Sequence, residues 1–343
     1  MIYQKYTSQI KSILEPYQAL NMIKNEARNF STMMKASSDV KNIQSLADLM
    51  GIKDIKPITF NKHPDFIHLL DHPEQSEKHY IISVFVDIKG STNYHKKNYT
   101  LEQIAAVTQI VLLASIHTCN LFGGHIQRLQ GDGVFVYFGG KKIQKKDAVL
   151  SALYATSFLC LFMKYELSAI FESYGIEEVK ARVGIDFGDD HEVLWQVFGD
   201  TPAVELTTNS LHTSLAPKMQ QYAPSNGIVV GENIFNQLDE EVKKHCLIVR
   251  KEDKNIDYIF QSPKKSYSQY HFHWYNFLKQ LPFVQIKQDG DLEIDYQEGK
   301  RLQSLLEKGS GNHYFIDKKG NQTQEKQDIK LDSSNHFFGA KKI

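Results

Sequence analysis

Two aspartates carry the most distinctive chemistry in this sequence. Asp87 closes the apolar run from Ile81 to Val86 and is followed by Ile88, Lys89, Gly90, Ser91 and Thr92. Asp132 lies in the segment Gln130-Gly131-Asp132-Gly133, just before the run Val134 to Phe138. Hard divalent cations take oxygen ligands, keep several waters and bridge phosphate oxygens, so a carboxylate at a strand end suits them. If the two runs pair side by side, Asp87 and Asp132 converge, with the backbone carbonyl of Ile88 as a third ligand. The turn through Ile88, Gly90, Ser91 and Thr92 leads into a helix start, where free N–H groups can hold phosphate oxygens. Gly90 lets the backbone approach closely. Taken singly, Asp87 reads as a helix cap and Asp132 as the Asp of an Asp-Gly hairpin. Taken together with the Gly-Ser-Thr turn, they read as a site for two divalent cations (Mg2+ or Mn2+) and a nucleoside triphosphate.

The surrounding pattern alternates strands and helices from Tyr80 to about Phe260, which predicts a mixed α/β sheet flanked by helices. Leu101 to Asn120 is expected to be a helix capped by Thr100, with Leu101, Ile104, Val107 and Val111 on one side. His125 to Leu129 and Val134 to Phe138 should form a tight hairpin around Gly131-Asp132-Gly133. Asp147 to Tyr165 is too apolar for a surface helix and should pack on the sheet. Val179 to Phe187, Val193 to Phe198 and Ile228 to Val230 read as strands, and Thr208 to Tyr222 as a helix. Asp186, Asp189 and Asp190 follow a strand, where turn chemistry is expected.

Residues 1 to about 40 show a helical stripe of Ile10, Ile13, Leu14 and Tyr17. Tyr270 to Leu278 is aromatic and reads as helical, with His271 and His273 in packing roles. Phe283 to Ile286 and Leu292 to Ile294 should form a hairpin across Asp289-Gly290. The end beyond about residue 308 is polar and lysine-rich, with mobility expected. The basic residues Lys141, Lys142, Lys145 and Lys146 read as a solvated loop. The chain divides into an N-terminal helical extension (1–79), a central domain (80–261) and a C-terminal extension (262–343).

Composition excludes some classes. The chain has 343 residues, 41% hydrophobic and 23% charged, with 40 basic and 40 acidic residues. No global field recruits nucleic acid or an anionic membrane. Cys119, Cys160 and Cys246 have no paired spacing and read as reduced thiols of a cytoplasmic protein. The amino terminus lacks the pattern of a signal peptide. The apolar run from Val149 to Met163 is shorter than the roughly 20 residues that a membrane span needs.

These motifs together resemble the catalytic domain of class III nucleotidyl cyclases. The matching elements are Phe85 to Thr92, Gly123 to Gly133, and Arg182-Val-Gly-Ile-Asp-Phe-Gly188, within a region from about 80 to 260. The resemblance implies a ferredoxin-like α+β core with a mixed, mainly antiparallel sheet. It further implies a homodimer with nucleotide bound between protomers, and Asp87, Ile88 and Asp132 as metal ligands. The family places an asparagine and an arginine four residues apart on one helix, for the transition state. Here Ser214 and Lys218 occupy those positions; Lys218 keeps the charge as a point rather than a fork, and Ser214 has a shorter reach than an amide.

Two more positions read the base in this family, and they fall on Arg128 and Thr207. Adenine-selective members carry Lys and Asp there. Arginine only donates and threonine does either, so the acceptor that selects the adenine amino group is missing at those positions. The pattern most resembles the pyrimidine cyclases of the bacterial Pycsar antiphage system. Members make cyclic UMP or cyclic CMP after phage infection, and the product activates a separate effector. The alternatives at this point are a purine cyclase, above all one using GTP, and a degenerate cyclase fold that senses nucleotide.

Overall fold

The computed structural model describes residues 57–298, except residues 97–98, 178, 201, 252–253, 262–263 and 296, together with two short strands at Tyr314–Ile316 and Gln322–Gln324. The helix expected within residues 1–40 and most of the tail beyond 308 lie outside the described residues. The first strands are β1 (Ser76–Lys78) and β2 (Ile81–Ile88). Then come helix α1 (Leu101–Leu121), strands β3 (His125–Gln130) and β4 (Gly133–Phe138), and helix α2 (Lys145–Phe162). Next are β5 (Ala181–Gly188), β6 (Leu194–Asp200), β7 (Ala203–Asn209), α3 (Leu211–Met219) and β8 (Gly227–Gly231). Further along come β9 (Cys246–Ile248), β10 (Gln269–Phe272), α4 (Trp274–Leu278), β11 (Val284–Ile286) and β12 (Leu292–Ile294).

The main sheet has seven strands in the order β3-β4-β2-β5-β8-β10-β9. Every pair is antiparallel except β5 with β8. This is the mixed, mainly antiparallel α+β architecture that the resemblance implies. β2 lies inside the sheet and is covered on both faces, and nearly all its positions are buried. Its alternation of side chains divides the core. Ile82, Val84 and Val86 face one way with Val134, Val136, Val183 and Ile185, against α1 and α2. Ile81 and Phe85 face the other way, with Phe66, Phe135, Tyr137, Trp195 and Leu206. Through that second cluster the three-stranded sheet β1-β6-β7 packs against β2 and β4.

α1 starts at a reciprocal cap: the Thr100 hydroxyl accepts from the Gln103 N–H at 3.3 Å, and the Gln103 side chain accepts from the Thr100 N–H at 2.9 Å. By length and composition alone, Leu101–Leu121 and Lys145–Glu172 are each long enough to cross a bilayer. The run judged too short is thus part of a longer helical stretch, and both segments are mostly buried inside this fold.

Several local expectations are corrected. Thr208 belongs to β7, because it pairs with Trp195 of β6; the helix begins at Leu211, where the Ser210 hydroxyl accepts from the His212 N–H at 3.2 Å. The aromatic stretch from Tyr270 starts as β10, held between β8 and β9, and only then turns helical. The hairpin across Asp289-Gly290 is present as β11 and β12. Lys145 and Lys146 open α2 rather than lying in a loop, and Lys145 is paired with Asp189 and Asp190. α3 lies directly on β5 at Gly184, where an added Cβ would sit 2.0 Å from the Ala216 carbonyl oxygen.

Asp186 is not a turn residue but a fully buried one. Its carboxylate lies 2.9 Å from His212 Nδ1 and accepts from the Tyr267 hydroxyl at 2.6 Å. His212 Nε2 is 3.4 Å from Glu192. Burial pulls His212 down, but Asp186 and Glu192 outweigh it and hold the imidazole above its usual range. Burial raises the Asp186 carboxyl above its usual range, against the bonds from His212 and Tyr267 that pull it back. Replacing His212 by Phe leaves the buried Asp186 without its cationic partner, and denaturant melts should show a loss of about 3–5 kcal/mol. The raised folded value also sets a pH dependence. Its contribution is complete below the unfolded value of about 6.5 and is lost as pH rises through the elevated folded value. Above pH 7 the histidines held neutral by burial, His117, His125 and His271, no longer oppose it. Wild-type melts should therefore weaken from pH 7 to pH 9; flat or rising stability would contradict the pairing.

Candidate active site

The two metal-ligand candidates meet at one end of adjacent strands. β2 and β4 pair with Val86 opposite Val134, and Asp87 is the next residue along. β3 and β4 close with Gln130 opposite Gly133, leaving Gly131 and Asp132 as a two-residue loop. Gly131 has a φ of +63°, the conformation such a tight turn requires at its first position. Asp87 is largely buried. Burial raises its carboxyl above the usual range, a bond from Arg182 pulls it back, and the charge of Asp132 adds to the rise. Asp132 keeps a buried carboxylate oxygen with no hydrogen-bond donor. Two mutually repelling carboxylates, one with an orphaned oxygen, fit a divalent cation. Among the described residues no group of three or more His, Cys, Asp or Glu is arranged to hold a metal. The remaining oxygens must then come from backbone, water or phosphate, the usual habit of magnesium.

Arg182 faces this pair from β5, directly opposite Asp87 in the register, with its guanidinium 2.7 Å from the carboxylate. The turn after β2 leads into a short 3-10 helix, Ser91–Lys96, with Gly90 at a φ of +72° and its carbonyl accepting from the Asn93 N–H at 2.8 Å. Ser91 and Thr92 open that helix, as the sequence predicts. Ile88 pairs with Ala181 and its side chain is buried.

The two base-reading candidates are also together. Arg128 and Thr207 lie on different strands, yet Arg128 Nη2 is 3.4 Å from the Thr207 hydroxyl. The same nitrogen is 2.5 Å from Glu205, a residue that the sequence reading did not single out. Gln127 is fully buried beside them and donates to the Leu206 carbonyl at 2.8 Å and to Glu205 at 3.2 Å. The pairing of β3 with β4 slips at Gln127. Such a bulge re-aims side chains, and here both Gln127 and Arg128 reach β7. Gln127, Arg128 and Glu205 line an open groove of about 470 Å³ with Phe198 and Val204, while Thr207 lies just outside its lining.

From Thr207 a chain of mostly buried hydroxyls runs on. Tyr137 is 3.3 Å from Thr207 and 2.9 Å from Thr208; Thr208 is 2.8 Å from Thr213, which is 3.2 Å from Ser83. Thr213 ties this chain to α3, next to Ser214. Ser214 and Lys218 are exposed on one side of α3, opposite the buried Leu215 and Met219. The Ser214 hydroxyl donates to the Ser210 carbonyl at 3.2 Å, so reaching a ligand requires a rotation. Lys218 forms no ion pair among the described residues. The exposed face carrying Ser214 and Lys218 and the carboxylate pair sit on different elements of the protomer.

No protein-family model matches the chain. A Staphylococcus aureus protein named cytidylate cyclase is 34% identical over 279 residues, covering 77% of this chain and 65% of that protein. An Escherichia coli protein with the same name is 27% identical over 244 residues, covering 69% of this chain and 52% of its own length. The chain thus spans only about half to two thirds of these relatives. Among solved structures, the adenylyl cyclase CyaB from P. aeruginosa aligns over 58% of this chain and 95% of its own, at 18% identity and a TM-score of 0.48.

Proposed function

We propose that this chain, which carries a class III nucleotidyl cyclase domain most like those of the pyrimidine cyclases, converts a pyrimidine nucleoside triphosphate into its 3′,5′-cyclic monophosphate and diphosphate. The relatives' shared name favours CTP over UTP as the substrate. The observation that carries the reading is the convergence of Asp87 and Asp132 at one strand end, with a carboxylate oxygen of Asp132 left unpartnered.

In this reaction the ribose 3′-oxygen bonds to the α-phosphorus, the bond to the bridging oxygen breaks, diphosphate leaves and the hydroxyl proton passes to water. When bound, divalent cations would supply a more acidic 3′-hydroxyl and charge neutralisation on the leaving diphosphate. Asp87 and Asp132 would hold them, with the Ile88 carbonyl completing the set. Gly90, Ser91 and Thr92 form the turn that receives the phosphates. Lys218 of the second protomer in a homodimer places its ammonium against the charge that grows on the α-phosphoryl oxygens. Ser214 contacts the ribose, and Arg128 with Thr207 reads the base edge. The cyclic product would act as a signal for a separate effector in defence against phage, inside the cytoplasm.

The test offers ATP, GTP, CTP and UTP separately with Mn2+ and identifies products by mass. Cyclic CMP or cyclic UMP with equimolar diphosphate is the expected outcome. Cyclisation of purine triphosphates alone would reject the pyrimidine assignment, and tight binding of triphosphate without turnover would reject the enzyme.

A further inference from the structure

Glu205 is a carboxylate that the mechanism does not use, placed where it could decide between bases. It lies on β7 two residues before Thr207 and therefore on the same face of that strand. Its oxygen is 2.5 Å from Arg128 Nη2, and the same nitrogen reaches the Thr207 hydroxyl at 3.4 Å. Arg128 thus stands between an acceptor on one side and a hydroxyl on the other. Gln127 steadies Glu205 from below with a bond of 3.2 Å. Gln127 has no exposure to solvent, and its own carbonyl oxygen has no partner, as does the buried Arg128 Nε. Those two atoms are sealed from solvent, but the Arg128 guanidinium and the Glu205 carboxylate are part exposed and line an open groove of about 470 Å³, where a planar polar ligand can reach them.

We infer that Glu205, Arg128 and Thr207 form an acceptor–donor–donor array that selects cytosine over uracil. This rests on the proposed pyrimidine cyclase reading and names the substrate within it. The cytosine edge runs donor, acceptor, acceptor, through the 4-amino group, N3 and O2. An ionised carboxylate only accepts and a guanidinium only donates, while the threonine hydroxyl can give its proton. Each of the three atoms of cytosine then meets its complement. Uracil presents acceptor, donor, acceptor, so its O4 faces the Glu205 carboxylate and its N3–H faces the Arg128 donors. A site built around such groups rejects the analogue that leaves them unpaired far more strongly than an apolar pocket does. Adenine matches the first two atoms of the array and leaves Thr207 without an acceptor. Guanine opposes it at the first two positions.

The test measures cyclic CMP and cyclic UMP formed from an equimolar mixture of CTP and UTP, for wild type, Glu205→Gln and Glu205→Asp. The product ratio is independent of how much of each preparation is folded. Wild type should favour cyclic CMP. Glu205→Gln, whose amide can either donate to O4 or accept from the amino group, should shift the ratio toward cyclic UMP by about tenfold or more. Glu205→Asp keeps the carboxylate and should retain the cytosine preference. A wild type that prefers UTP, or a ratio unmoved by Glu205→Gln, overturns the inference while leaving a pyrimidine cyclase in place. A protein that cyclises only purine triphosphates overturns both.

Discussion

Asp132→Ala is expected to lower cyclase turnover by roughly 10³-fold or more while leaving the fold at least as stable as wild type. The loss follows from removing one of the two carboxylates that the proposed site offers to the cations, and losing a single preorganised electrostatic contact already costs about 10²–10³ in rate. The stability result is the less obvious half. Asp132 adds to the rise of the Asp87 carboxyl, so the two acids repel one another in the protein alone. Its orphaned oxygen also contributes an unpaid desolvation cost. Removing the side chain relieves both, and thermal melts without metal should show an unchanged or raised midpoint. Asp87→Ala should be equally inactive but less stable, because it strands the Arg182 guanidinium that now lies 2.7 Å away. Wild-type turnover in either variant would contradict the assignment.

Equal mixtures of Asp132→Ala and Lys218→Ala are expected to recover about a quarter of wild-type activity. Each variant alone is inactive, since one lacks a cation ligand and the other the charge on the α-phosphoryl oxygens. In a twofold dimer with sites shared across the seam, each mixed dimer holds one site with both lesions and one with neither. Random exchange makes half of the dimers mixed, and half of their sites intact. Activity should rise with the time allowed for exchange and scale with protein concentration. A mixture that never exceeds the sum of its parts would place the carboxylates and Lys218 in the same site of one protomer.

Much of the site was legible because it is written in local chemistry. A carboxylate after a run of β-branched residues, and another in a two-residue glycine turn, state both the strands and where they end. The α1 cap at Thr100 and Gln103 is equally local. Glu205 was not legible, because its meeting with Arg128 depends on a bulge at Gln127 and on the register of β6 with β7. Neither leaves a mark in the spacing. Asp186 and His212 are 26 positions apart, and their neighbouring aspartates, Asp189 and Asp190, disguise the first as part of a turn. β10 was misread because four residues rich in aromatics fit an amphipathic helix as well as an interior strand. Only the available slot between β8 and β9 decides between them.

Binding of Mn2+ in the presence of 3′-deoxy-CTP, which cannot cyclise, tests the central claim most directly. Followed by electron paramagnetic resonance, wild type should bind two ions for each bound nucleotide, and both Asp87→Asn and Asp132→Asn should lose that pair while their melts stay cooperative. Wild-type Mn2+ binding in the two amide variants would mean that the carboxylates at positions 87 and 132 do not hold the cations.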